Sequence, residues 1–91
     1  MFGGSGNDTI TASGGTNTIA TDDGDNTVVL NEGINSVTAG SGADTVTAFG
    51  GDNTITAGDG DDTIELNNGT NSVLTGSGVD TMTVALSLIH I

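Results

Sequence analysis

The clearest order in this chain is an alternation of polar and apolar positions that returns every nine residues. A small polar Asx is followed by Thr or Ser, then by an aliphatic side chain. The triplet appears as Asp8-Thr9-Ile10, Asn17-Thr18-Ile19, Asn26-Thr27-Val28, Asn35-Ser36-Val37 and Asp44-Thr45-Val46, and continues to Asp80-Thr81-Met82. Nine copies run without an insertion, each with a glycine two residues before the Asx, from Gly6 to Gly78. The Gly-x-Asx segment reads as a turn, because glycine supplies φ > 0 and an Asx side chain bonds nearby backbone. The residues after it alternate with the period of two that marks a half-buried strand. Ile10 and Ala12, or Val28 and Leu30, are expected to face inward, and Thr9 and Thr11 outward.

A turn and strand of this size cannot bury its own apolar face, so neighbouring repeats must supply the core. Two units are expected to make one coil of about eighteen residues, with one short strand in each of two facing sheets. The fold class expected is all-β, a parallel β-solenoid. Residues 1–84 hold the nine repeats as one domain, and 85–91 form a non-repeat apolar tail. Leu86-Ser87-Leu88-Ile89-His90-Ile91 also reads as the in-frame translation of the transposon end used in sequencing libraries. The expectation is therefore a fragment of a longer chain with an artefactual tail.

A coil of this length places alternate repeats on the same edge. One edge receives Asp8, Asn26, Asp44, Asp62 and Asp80; the other receives Asn17, Asn35, Asn53 and Asn71. Asp22, Asp23, Asp25, Asp59 and Asp61 also fall in turns of the first edge, so nine of the twelve carboxylates gather there. A doubled period is visible too. Gly4-Ser5-Gly6-Asn7-Asp8-Thr9 returns at Gly40–Thr45 and Gly76–Thr81, while Asp23-Gly24-Asp25-Asn26-Thr27 returns at Asp59–Thr63.

Composition sharpens this picture. The chain has no Lys, Arg, Cys, Pro, Trp or Tyr, and its formal charge is −12. Without basic residues it has no means of gripping phosphates, which excludes nucleic acid, and an anionic membrane repels it. No apolar run approaches membrane-spanning length. Sixteen glycines make the backbone costly to order, so folding needs stacking, a metal, or both. Unit charges 4 Å apart repel by about 1 kcal/mol in water and about 4 kcal/mol at an effective dielectric of 20. Two readings answer that repulsion. Divalent cations could sit between successive turns, since carboxylates and carbonyls are their ligands, or the edge could be a solvated acidic face that keeps the protein soluble. The Asn edge reads as a ladder, because each amide both donates and accepts. An enzyme is not expected: His90 is the single histidine, and no nucleophile–base pair is present.

Gly3-Gly4-Ser5-Gly6-Asn7-Asp8-Thr9-Ile10-Thr11 resembles the nonapeptide of the repeats-in-toxin (RTX) family, Gly-Gly-x-Gly-x-Asp-x-aliphatic-x. The resemblance spans Gly3 to Val84 and is close again at Gly40–Thr47, Gly58–Glu65 and Gly76–Thr83. It implies a right-handed parallel β-roll that binds calcium (Ca2+) between stacked turns. Its ligands would be Asp8, Asp44, Asp62 and Asp80, with carbonyls near Gly4, Gly6, Gly40, Gly42, Gly58, Gly60, Gly76 and Gly78. Asn26 stands where the motif has Asp, with Asp23 and Asp25 beside it; Asp59 and Asp61 flank the equivalent turn. The even repeats lack both the second glycine and the Asp. The family further implies a structural module of a larger secreted toxin, adhesin or exoenzyme, acting outside the cell. Its partners would be calcium ions and flanking repeats, with self-association through ends or edges. A second function class rests on Thr9-x-Thr11, Thr45-x-Thr47 and Thr81-x-Thr83. These place outward Thr ranks on one sheet, as in a surface-binding solenoid of ice-binding or adhesin type that needs little or no calcium.

Overall fold

A computed structural model describes residues 1–85 and 88–90. In chain order the strands are β1 (Thr9–Ala12), β2 (Thr16–Ala20), β3 (Thr27–Leu30), β4 (Ile34–Thr38), β5 (Thr45–Ala48), β6 (Asp52–Thr56), β7 (Thr63–Leu66), β8 (Thr70–Leu74), β9 (Thr81–Val84) and β10 (Leu88–His90). Odd strands form one parallel sheet in the order β1-β3-β5-β7-β9, and even strands form a second, β10-β8-β6-β4-β2. Each residue pairs with the one eighteen positions on, as in Thr9↔Thr27 and Asn17↔Asn35. The chain is therefore a two-sheet parallel β-solenoid with an eighteen-residue coil, as the nine-residue period predicts.

The core is a thin layer between the sheets. Val28, Leu30, Val46, Ile64 and Leu66 come from the first sheet, and Ile19, Val37, Ile55 and Val73 from the second. Leu30, Val46, Ala48 and Leu66 are completely buried. Medium and small side chains suffice because the slab measures only 30 × 26 × 13 Å. Ile10 and Met82, in the outermost odd strands, are partly buried against this core.

The two kinds of strand begin in different places. An odd strand starts at the Thr after the motif Asx and has four residues; each of β2, β4, β6 and β8 starts one residue before its Asn and has five. The even Asn thus lies within the sheet, whereas the odd Asx belongs to the turn. Turn glycines are dictated by the stack. Gly60 has φ 123°, and a Cβ there would collide with the carbonyl oxygen of Gly42 in the coil before it. Of the expected apolar tail, Leu86, Ser87 and Ile91 lie outside the described residues, while Leu88–His90 pairs with β8 and extends the second sheet.

Candidate functional site

On the even edge the expected asparagine ladder is present. The Nδ2 of Asn17 donates to Oδ1 of Asn35 (2.9 Å), Asn35 to Asn53 (2.8 Å) and Asn53 to Asn71 (2.8 Å). The same Nδ2 groups also donate to turn carbonyls three residues earlier, as Asn17 does to Gly14 and Asn53 to Gly50. Asn35, Asn53 and Asn71 are buried, and these bonds satisfy polar groups that would be costly to bury alone.

The odd edge is laced differently. Here each motif side chain accepts from the backbone N–H of the preceding coil. Oδ1 of Asn26 receives the N–H of Asp8 (2.8 Å), Asp44 that of Asn26 (2.9 Å), Asp62 that of Asp44 (2.9 Å) and Asp80 that of Asp62 (3.0 Å). A second column reaches the opposite way. Asn7 accepts from the N–H of Asp25, Asp25 from Ala43, and Asp61 from Val79. Asp23 and Asp59 accept the hydroxyls of Ser41 and Ser77 at 2.7 Å. The doubled period in the sequence is this pairing: an Asp-Gly-Asp turn beneath a Gly-Ser-Gly turn, joined through Ser.

These contacts overturn the expectation of calcium. The carboxylates expected as ligands serve as hydrogen-bond acceptors along the stack, and the opposite edge is an amide ladder. Among the described residues, no three or more Asp, Glu or His side chains are grouped so that they could hold a metal ion. The expected turn glycines are likewise engaged in close coil-to-coil packing: Gly40 accepts the N–H of Asp59, and Gly58, Gly76 and Gly78 stack on Gly40, Gly58 and Gly60. Gly4 and Gly6 open the first turn of the same edge with positive φ, and Gly6 lies against Gly24. The ion-binding reading failed because an Asp at this spacing can either coordinate or accept, and sequence does not say where its oxygens point.

The odd edge still carries electrostatic tension. The Oδ2 atoms of Asp8, Asp44 and Asp62 are buried without a hydrogen-bond partner. Burial disfavours the ionised form. It pushes the Asp62 carboxyl up to about 6, against the N–H of Asp44 that favours the anion, and neighbouring Asp44 and Asp80 add to the rise. Burial also raises Asp44, opposed by its bonds from Asn26.

The broad faces are chemically distinct from the edges. On the first sheet Thr9, Thr27, Thr45, Thr63 and Thr81 stand in register, all exposed. A second file holds Thr11, Val29, Thr47, Glu65 and Thr83. The Thr-x-Thr pairs in the sequence do not reveal the continuity of the first file, which passes through Thr27 and Thr63, where the second Thr of the pair is missing.

Fold and stacking together define a tandem-repeat structural module of the parallel β-solenoid class. The family model for the RTX calcium-binding nonapeptide repeat matches in four copies, over residues 1–28, 21–48, 30–64 and 47–82, and the chain belongs to that family. It is a repeat structural domain of that type. No curated protein and no solved structure matches the chain. No helix among the described residues is long and apolar enough to cross a membrane.

Proposed function

We propose that this chain is a surface-binding repeat module of a larger exported protein, and that it presents the first sheet to an extended, regularly spaced, uncharged surface. Ice is the sharpest case. The observation that carries this reading is the file Thr9–Thr27–Thr45–Thr63–Thr81, five exposed Thr side chains held in register by the sheet. Strands ~4.8 Å apart fix the spacing along the file, and alternate residues ~6.6 Å apart fix it along each strand. Each Thr offers a methyl group and a hydroxyl that can anchor ordered water.

Charge distribution supports the same reading. Glu65 is the one carboxylate among the outward positions of the first sheet; most of the acids lie in the turns. Size argues for a surface and against a globular partner. Five strands of four residues present a face on the order of 300 Å2, well short of the ~800 Å2 that each side of a stable protein complex buries. A repetitive face gains affinity by lengthening, and flanking repeats in a longer chain would do that.

The test is partition into ice grown slowly from solution, together with thermal hysteresis. The protein is expected to enrich in the ice and to depress growth of the seed crystal. Exclusion from the ice to the same degree as a non-binding control, without hysteresis, overturns the reading.

A further inference from the structure

Across β2, β4, β6 and β8 the second sheet has its own hydroxyl file, which ends where His90 of β10 pairs with Ser72. Thr18 pairs in register with Ser36, Ser36 with Thr54, and Thr54 with Ser72. All four side chains are exposed. They follow the ladder asparagines Asn17, Asn35, Asn53 and Asn71 directly, so the ladder that fixes the asparagines also fixes the spacing of this file. At ~4.8 Å per coil it spans roughly 14 Å. Because the two sheets enclose a single core, their outer surfaces face in opposite directions.

We infer that the module has two binding faces, and that the Thr18–Ser36–Thr54–Ser72 file is a second site for the same class of occupant, a hydrogen-bonded lattice of ordered water. This rests on the surface-binding reading above. The occupant follows from charge and size. The face is as small as the first, too small for a stable protein partner. Asp52, beside Ile34 in a flanking file, is the one carboxylate among the outward positions of β2, β4, β6 and β8. An unbroken row of hydroxyls bonds water as donor and acceptor at every coil. The two faces are not identical. Ser lacks the methyl of Thr, so the second file alternates methyl-bearing and bare hydroxyls with a period of two coils.

Four proteins test this in the ice-partition assay: wild type, Thr45→Tyr, Thr54→Tyr and the double variant. Tyr is a good strand residue and bulky enough to spoil a flat file. Thr45 and Thr54 lie on opposite sheets, so each change spoils one face and leaves the other. Circular dichroism checks whether each variant keeps the wild-type fold. Each single variant is expected to lose about twofold in ice-bound fraction because the opposite face still binds, and the double variant more than about tenfold because neither face remains. If Thr45→Tyr alone removes binding while Thr54→Tyr leaves it intact, the first face stands and the second is overturned. If the wild type itself is excluded from ice, the surface-binding reading fails and the second face fails with it. If a single variant does not keep the fold, Thr45→Val and Thr54→Val replace the Tyr changes, and the same pattern of losses decides.

Discussion

At the scale of the residue, Asp62 is the most consequential position. It is buried, it accepts the N–H of Asp44 through one oxygen, and its other oxygen has no partner. Its carboxyl is raised from the ordinary 3.8 to about 6 in the folded chain. Between those values the folded state holds more protons than the unfolded state, so stability falls as pH rises. The contribution is fully present below about pH 4 and lost above about pH 6. Urea midpoints at pH 4, 5, 6 and 7.5 are expected to decrease along that series; a steady increase would contradict it. Asp62→Asn keeps an acceptor for Asp44 and removes the charge. It is expected to raise the midpoint at pH 7.5 and to have little effect at pH 4. Gly60→Ala tests the backbone instead. Positive φ and the collision with Gly42 are expected to cost about 2 kcal/mol, read as a lower urea midpoint with unchanged slope.

At the scale of the element, the coil joints are side-chain ladders, and the two edges differ in kind. The even ladder needs a donor as well as an acceptor at each rung, which Asn supplies and Asp does not. Asn53→Ala removes the bonds to Asn71 and Gly50 and leaves Asn35 Nδ2 only the longer bond to the Glu32 carbonyl. It is expected to cost about 2–3 kcal/mol. Asn53→Asp, which cannot donate and brings a buried charge, is expected to cost more at neutral pH; chemical denaturation of the two variants side by side decides. Much of this was legible in the sequence. The nine-residue period fixed strands, coil length and the inward positions Val28 and Leu30. The absence of Asp among Asn17, Asn35, Asn53 and Asn71 marked the ladder. The odd edge was not legible in the same way. An Asp every eighteen residues suits an ion or a backbone N–H equally, and the choice lies in the direction of Oδ1. The five-Thr file is also hidden, because Val29 and Glu65 break the Thr-x-Thr pattern, and only register shows that Thr27 and Thr63 continue it.

At the scale of the whole molecule, a charge of −12 with no Lys or Arg opposes compaction, because like charges on the acidic edge repel. Monovalent salt screens exposed charges, with a Debye length of about 10 Å at 0.1 M. Raising sodium chloride is expected to increase the urea midpoint at neutral pH, and a salt-independent midpoint would show that this repulsion is negligible. Against it stand a thin apolar core and the two runs of hydrogen bonds that join every coil to the next. The central claim is that these ladders hold the solenoid together without a bound ion. It is tested most directly by circular dichroism and urea denaturation at neutral pH, in chelator and in millimolar calcium. The same β-sheet spectrum and the same midpoint are expected in both. A chain that is disordered in chelator and folds only when calcium is added would contradict it.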